Sequence, residues 1–522
     1  MEPDARLQDF LQPLRIDSDV VHRLSEGLLA TFRQLAAEDK QQFLPTPISE
    51  SILRPVSKTG HGRHLAIDIG GTNLRVGFIE LSGQDVADAL ANGNSNGNGN
   101  GATSGISSPR VTRLKERSWP IADHIKNADV ISLFEWVGEC IASVVAEGTR
   151  DWDLPADREI PLGITFSFPM IQHSLSEAAL MAMGKGFVVE GNPELSPLVL
   201  DGYRKARGSL PPIKIAAIAN DSVSTLVSFI YAHGETSTRK ACMGLIVGTG
   251  CNATVPLELR LLHKSKRPQV VSLLPGESLD HLRIAVNTEW SINGSAPPLR
   301  DLGLVTKWDE ILDRAGEIPG FQPLEYMTSG RYLGELGRLM LVDYLENILN
   351  ISPTSFPPAI TQRHGISTTF LSHFRPLDPA KLVSSLNVEL PPAEGGPFTW
   401  TPEIAIALYH ITKAIEVRAA GIVSAGIVAL LKLAGDFPSG PPAPGVNGIH
   451  PVRELGVGYT GGCIAHFQDY LEDTQRFLDD LVRIDLGPDA PVKVVLIPCH
   501  DGGIKGAGIL AAAAESSQDR QV

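Results

Sequence analysis

The sequence predicts an α/β protein, and three observations carry that prediction. Short apolar segments with the pattern of buried strands alternate with longer helical patterns. A strand, a Gly-Thr turn and an asparagine occur twice, at Asp68–Asn73 and Val247–Asn252, which points to two related lobes. The chain has 522 residues, 43% hydrophobic and 20% charged, enough to bury a sizeable core in two to four domains or in one large two-lobed body.

The elements follow in order. The first sixty residues read as helix and then irregular chain, because Leu44-Pro45-Thr46-Pro47 breaks the helical pattern. Leu65 to Ile69 is a short apolar strand, Gly70-Gly71-Thr72-Asn73 turns the chain, and Leu74 to Leu81 returns as the second arm of a hairpin. Residues 92 to 108 are Asn, Gly, Ser, Ala, Thr and Ile with Pro109 beyond, too polar to order themselves, and are expected to form a disordered insertion. Val130, Leu133, Phe134, Val137, Ile141 and Val144 form one apolar helical stripe. Strands are expected at Leu162 to Phe166, Ile213 to Ile218, and Gly244 to Val247, the last leaving its turn as Ala253-Thr254-Val255. A long helix covers about Glu403 to Leu433, a Pro/Gly-rich loop runs from Phe437 to Gly448, and Val492 to Ile497 is a buried strand. A small-residue helix starts at about Gly506.

Charge and composition exclude several classes. Lys+Arg 45 against Asp+Glu 59 gives −14, so a nucleic-acid partner is not expected. The apolar stretch Ala419 to Leu431 is too short to span a bilayer and reads as a core helix. Met1-Glu2-Pro3-Asp4 leads into no signal-peptide pattern, and five cysteines without a CxxC pair fit a reducing compartment. A cytoplasmic location is the expectation.

Glycine-rich turns directly after strands expose backbone N–H groups that can cradle phosphate oxygens. Three are present, at Gly70-Gly71-Thr72, Gly248-Thr249-Gly250 and Asp501-Gly502-Gly503. Each alone reads as a plain turn; three together, with acids at strand ends, make phosphate binding a competing reading. Asp68 ends a buried strand, where a carboxylate either caps the turn or holds Mg²⁺ through water. Arg75, just past the turn, contacts phosphate or is merely solvated. Asn220-Asp221 ends a strand before a helix, so it either caps that helix or presents a carboxylate that takes a proton from a substrate hydroxyl. Ser167, Lys185, Asn252, Glu289 and Glu325 are individually ordinary polar residues, yet together they are the amides, carboxylates and ammonium that a sugar site requires.

At these residues the sequence resembles the hexokinase family. Leu65 to Val76 is similar to its first phosphate motif, and Leu162 to Pro169 with Lys185-Gly186-Phe187 to its sugar signature. Ile218-Ala219-Asn220-Asp221 resembles its catalytic-base segment and Gly244 to Ala253 its second phosphate motif. Asn287-Thr288-Glu289-Trp290 and Ser329 to Glu335 are similar too, and the match runs from about residue 7 to about 515.

The resemblance implies an actin-like ATPase (ribonuclease H-like) fold, with a cleft between two lobes. It assigns 62–219 to the small lobe, with a C-terminal helix at about 505–520, and 1–61 with 220–504 to the large lobe. It implies hexose and ATP as substrates, with Mg²⁺. Ser167, Lys185, Asn220, Asp221, Asn252, Glu289 and Glu325 would contact the hexose, with Asp221 as base and Lys185 stabilising developing negative charge. Asp68, Gly70, Gly71, Thr72, Asn73, Arg75, Thr249, Gly250 and Gly458 would face ATP and the metal, Asp68 holding the metal through water.

Three departures stand out. Met183-Gly184-Lys185-Gly186-Phe187 lacks the threonine hydroxyl of the family's Trp-Thr-Lys-Gly-Phe, a hydrogen bond worth about 0.5–1.5 kcal/mol. Val457-Gly458-Tyr459-Thr460-Gly461-Gly462 lacks the acid and serine of the adenosine motif, and Ile504 replaces a glycine in Asp501-Gly502-Gly503-Ile504-Lys505-Gly506. If position 504 needs a positive φ, a β-branched residue there is strained. The sequence thus predicts an ATP-dependent kinase acting on the 6-hydroxyl of glucose or a related hexose. The alternative is a weak or inactive sugar-binding regulator, motivated by Gly184, Thr460 and Ile504.

Overall fold

In chain order the strands are β1 (Leu44–Ser49), β2 (Gly62–Ile69), β3 (Asn73–Leu81), β4 (Val111–Pro120), β5 (Ile160–Phe166), β6 (Met170–Ser174), β7 (Glu177–Leu180), β8 (Ile213–Asn220), β9 (Arg239–Val247), β10 (Cys251–Glu258), β11 (Val270–Leu273), β12 (Arg283–Asn287), β13 (Arg453–Thr460), β14 (Val492–Pro498) and β15 (Gln518–Gln521). The helices that shape the site are α1 (Ser18–Glu38), α2 (Val130–Trp152), α3 (Asp221–His233), α4 (Gly330–Asp343), α5 (Pro402–Leu433), α6 (Tyr470–Leu486) and α7 (Gly502–Ala514). The computed structural model describes residues 3–53, 62–81, 111–126, 129–181, 191–438, 440, 452–515 and 517–522. The Asn/Gly tract at 92–108 and most of the Pro/Gly-rich loop after Phe437 lie outside these residues.

Two sheets repeat one topology. The first has the order β4-β3-β2-β5-β8, with β4, β3 and β2 antiparallel and β2, β5 and β8 parallel. Within the larger sheet, β12-β10-β9-β13-β14 has the same order and the same directions. The two Gly-Thr turns join equivalent strands, β2 to β3 and β9 to β10. The larger sheet continues past β12 through β1 and β11 to β15.

The helix after the fifth strand of each sheet packs across onto the other sheet. Helix α3 follows β8 yet lies on β9, and α7 follows β14 yet lies on β2 and β5. The backbones meet so closely that glycine is required: a Cβ at Gly163 would stand 1.9 Å from the Ala507 carbonyl oxygen, and one at Gly506 would stand 2.2 Å from that of Ser224. Ala66, Ala217, Val223, Leu226, Ile504 and Leu510 close the space between the sheets as one apolar cluster. Each large aliphatic side chain buried there contributes about 1.5–3 kcal/mol.

Local chemistry explains the helix starts. Asp17 caps α1 by accepting from the Val20 amide, and Asp129 caps α2 by accepting from Ile131 and Ser132. In α2 the predicted stripe is buried from Leu133 through Phe134, Val137 and Ile141 to Val144, while Val130 at the helix start is half-buried. Helix α5 opens with Thr401 as cap and Pro402 in its first turn. It is 32 residues long, long and apolar enough to cross a bilayer, and nearly all of its apolar window is buried between α1, α6 and neighbouring helices.

Two expectations need correction. Leu44-Pro45-Thr46-Pro47, read as a helix breaker in irregular chain, lies in strand β1, inside the larger sheet. Its prolines cannot donate, and its ladder is accordingly interrupted between Pro45 and Ser49; burial of Leu44 and Ile48 holds the strand in place. The C-terminal helix spans Gly502–Ala514 rather than about 505–520, and the chain beyond it forms β15, antiparallel to β11 of the larger sheet.

Candidate functional site

The register of the first sheet brings three strand ends together. Ile69 of β2 lies beside Phe166 of β5, which lies beside Asn220 of β8. The next residues, Gly70, Ser167 and Asp221, therefore leave the sheet at one edge, the carboxyl end of parallel strands where ligands of such sheets bind. Ser167 is fixed there by its amide, which donates to the Ile69 carbonyl at 3.0 Å. The first glycine turn closes with the Gly70 amide donating to the Asn73 carbonyl at 2.9 Å, leaving Thr72 and Asn73 exposed and Gly71 half-buried.

The second glycine turn is anchored from behind. The Gly248 and Thr249 carbonyls accept from the Gly330 and Arg331 amides, at 2.7 and 3.3 Å. These are the first amides of α4, so Ser329-Gly330-Arg331 fixes the turn while Thr249 stays exposed at its tip. A Cβ at Gly250 would stand 3.0 Å from Glu325 Oε2, which ties this turn to the polar cluster below it.

That cluster joins most of the expected sugar ligands. Asn252 Nδ2 donates to Glu289 Oε1 at 3.1 Å and to Asn287 Oδ1 at 2.9 Å, and Asn287 Nδ2 donates to the same Glu289 oxygen at 2.8 Å. Buried Glu325 accepts from the Cys251 amide, from Ser291 Oγ and from Gln322 Nε2. Asn220 caps α3, accepting from the Ser222 amide at 3.0 Å and the Ser222 hydroxyl at 2.8 Å. That hydroxyl lies 2.7 Å from Thr254 Oγ1, a strand partner of Asn287. Asp221 is thus the first residue of a helix whose cap is bonded into the Asn/Glu cluster.

Asn287, Ser222, Thr254, Gln322 and Ser291 were not among the sequence-derived candidates. Asn287 offered a signal, a polar residue ending an apolar strand two positions before Glu289. The others are joined to the site only by tertiary contacts. Lys185 and Gly184 lie outside the described residues.

On the phosphate side, burial pushes the Asp68 carboxyl up to about 7; the Arg75 guanidinium opposes this, while the negative charges of Asp221, Glu116 and Asp501 add to it. Asp68, Arg75, Asp221 and Asp501 therefore share one electrostatic neighbourhood. Arg75 is cross-strand to Asp68 and pairs with Asp501 at 3.3 Å; Arg113 pairs with the other Asp501 oxygen at 3.2 Å. A Cβ at Gly503 would stand 2.6 Å from Asp68 Oδ2, so a glycine leaves the room this carboxylate occupies. A half-buried, desolvated carboxylate at a strand end beside exposed turn residues fits a divalent cation, which would restore its charged form. The groups His22/Glu26/Asp485 and Glu416/Asp469/Asp473 already hold the ammonium groups of Lys432 and Lys413.

Two readings change here. Gly458, expected to face ATP, is buried in β13 beneath Phe229 of α3; a Cβ would stand 2.5 Å from the ring, so packing accounts for the glycine. Ile504 is a buried residue of α7 with no positive φ, so its β-branch brings no strain. The left-handed residue of that segment is Asp501, at φ +61°.

Comparison with known proteins gives a consistent result. Two family profiles, both described as Hexokinase, match residues 6–231 and 242–513. Hexokinase-5 of Oryza sativa subsp. japonica is 28% identical over 457 residues, 86% of this chain and 78% of its own. The hexokinase of Schwanniomyces occidentalis is 27% identical over 456 residues, 87% and 81% of the two chains. In fold, the chain is similar to the Schistosoma mansoni hexokinase at a TM-score of 0.73 and 23% identity, covering 97% and 98% of the two chains.

Proposed function

The chain belongs to the hexokinase family and is an ATP-dependent hexose kinase, and from that premise we propose that it transfers the terminal phosphoryl group of ATP to the 6-hydroxyl of glucose or a closely related hexose. One observation carries the assignment of roles. Asp221 stands where the two polar regions meet, within electrostatic reach of Asp68 and next to the capped Asn220 that is bonded through Ser222 to the Asn252–Asn287–Glu289 cluster.

In this reading Asn252, Glu289, Glu325, Asn220 and Ser167 hold the sugar hydroxyls by paired hydrogen bonds and so aim one hydroxyl at Asp221. Asp221 accepts the proton of that hydroxyl as its oxygen attacks the phosphoryl group. Lys185 is assigned to the charge that develops on the transferred group. The turns at 70–73 and 248–250 present amides and hydroxyls to the phosphates, with Arg75 just past the first. Asp68 is the residue that would hold Mg²⁺, which neutralises phosphate charge when bound. Five buried cysteines without disulfides support a reducing compartment such as the cytoplasm, testable by fractionating cells that express a tagged chain.

The deciding experiment is a coupled assay of purified protein with glucose and MgATP. Formation of hexose 6-phosphate and ADP in equal amounts is expected. Sugar binding without ADP release would leave a regulator in place of a kinase. The strain argument for that alternative is removed by the helical conformation of Ile504.

A further inference from the structure

Glu289 is held in a backbone conformation that a glutamate does not choose. Its φ is +43°, in the left-handed region that L-residues with a Cβ avoid. Such a conformation persists only where the surroundings over-determine it, and such residues gather at ligand sites.

The surroundings here can be named. The Glu289 carbonyl accepts a 2.9 Å hydrogen bond from Gln42 Nε2, a side chain 247 positions earlier. The Thr288 carbonyl accepts from the Phe43 amide at 2.9 Å, and Thr288 itself is bonded through its amide and hydroxyl to the Ala253 carbonyl. Residues 288–289 are therefore clamped between β10 and the two residues that lead into β1.

Gln42 is placed for this task. It is 1% exposed, and its own amide is fixed by Asp39 Oδ1 at 2.8 Å. Its Nε2 also reaches Ser295 Oγ at 3.3 Å, while its Oε1 has no hydrogen-bond partner among the described residues. A buried acceptor left unbonded is unfavourable, so the donor end is what the structure uses. Space has been left for it: a Cβ at Gly294 would stand 2.0 Å from Gln42 Oε1.

We propose that Gln42 is a positioning residue for hexose recognition, holding Glu289 in its left-handed conformation so that the carboxylate meets the Asn252 and Asn287 amides and the substrate. This rests on the reading of Glu289 as a hexose ligand. Losing the Gln42 bond lets residue 289 relax toward the extended or right-handed basins, which turns the carboxylate away from Asn252.

The test is glucose affinity by calorimetry without nucleotide, together with steady-state kinetics. Gln42→Met keeps the length and removes the donor. It should weaken glucose binding about tenfold and raise the hexose KM, while the KM for MgATP and the kcat at saturating glucose stay within about twofold. Gln42→Glu supplies a donor only when protonated, so its glucose affinity should recover as the pH is lowered, and that of Gln42→Met should not. Should Gln42→Met fail to fold, Gly294→Ala displaces the same amide from the opposite side and should weaken glucose binding selectively. Unchanged glucose affinity in a folded Gln42→Met protein overturns the proposal, as does a loss shared equally by glucose and MgATP. Glu289→Gln separates the two readings. If it weakens glucose binding and Gln42→Met does not, only the positioning role fails; if Glu289→Gln has no effect, the hexose-site reading fails.

Discussion

The Asp68 carboxylate lies against the backbone of Gly503, so closely that a methyl group at 503 would stand 2.6 Å from Oδ2. The strand end of one sheet and the first turn of the helix that follows the other are thereby fitted to each other. Gly503→Ala should push Asp68 from its place. Alanine favours helix by about 1 kcal/mol over glycine, so α7 itself should not unravel. The expected result is a loss in kcat/KM for MgATP of about tenfold or more, with glucose affinity unchanged. Wild-type kinetics in Gly503→Ala would show that Asp68 moves without consequence.

Asp68 also sets a pH dependence of stability. Its carboxyl is raised from 3.8 to about 7 by burial. The folded protein therefore keeps a proton that the unfolded chain releases at lower pH. This contribution to stability is full below the unfolded value and is lost as pH rises through about 7. Asp68→Asn removes the titration, so without nucleotide it should melt about 2 °C or more above wild type at pH 8. Near pH 4 the two proteins should melt together. Thermal melts across that range check the sign; a difference that does not grow with pH refutes the burial argument.

Removing the base should separate chemistry from binding. Asp221→Ala is expected to lower kcat by about 10²–10⁴-fold while glucose still binds, because Asn252, Asn287 and Glu289 bond to one another without Asp221. Rapid-quench and calorimetric measurements on one preparation provide both numbers. A variant with more than a tenth of the wild-type rate would remove Asp221 from the base role.

Arg418 of α5 makes a bidentate pair with Asp309 at 2.7 and 2.8 Å, and Arg418 is fully buried. Asp309 also completes the capping box of the helix Lys307–Arg314 by bonding Thr306. Arg418→Met should cost about 3–5 kcal/mol, since it leaves a buried carboxylate without its cation. Adding Asp309→Leu should restore part of that loss. Urea denaturation measures both, and a second substitution that adds its full separate cost would argue against a coupled pair.

Much of the architecture was legible because it is written locally. Strand periodicity and the two Gly-Thr turns located both hairpins, and the polar break after Ile218 located the start of α3. Asp68, Asp221, Asn252 and Glu289 could be singled out in the sequence because each lies at or just beyond a strand end beside a turn. What stayed hidden depends on contacts between distant residues. Gln42 meets Glu289, and Ser222 meets Thr254, only after the sheets form. Gly458 was misread because a glycine that makes room for Phe229 looks, in sequence, like one that makes room for a phosphate. Strand β1 was missed because its prolines break a helical pattern, although an interrupted ladder tolerates them.

The exchange of helices between the two sheets bears on how the chain matures. Helix α7, which covers β2 and β5, is synthesised more than four hundred residues after β2, and β15 pairs with β11 later still. On the ribosome the first sheet must wait with one apolar face uncovered until residues 502–514 emerge, a long interval in which chaperones or early collapse must shield it. A gene split between residues 231 and 242, where the two family profiles part, would yield an N-terminal half carrying α3 without the sheet it covers, and a C-terminal half carrying α7 in the same condition. Co-expressed, the two fragments would complement each other by interlocking, each supplying the helix that completes its counterpart.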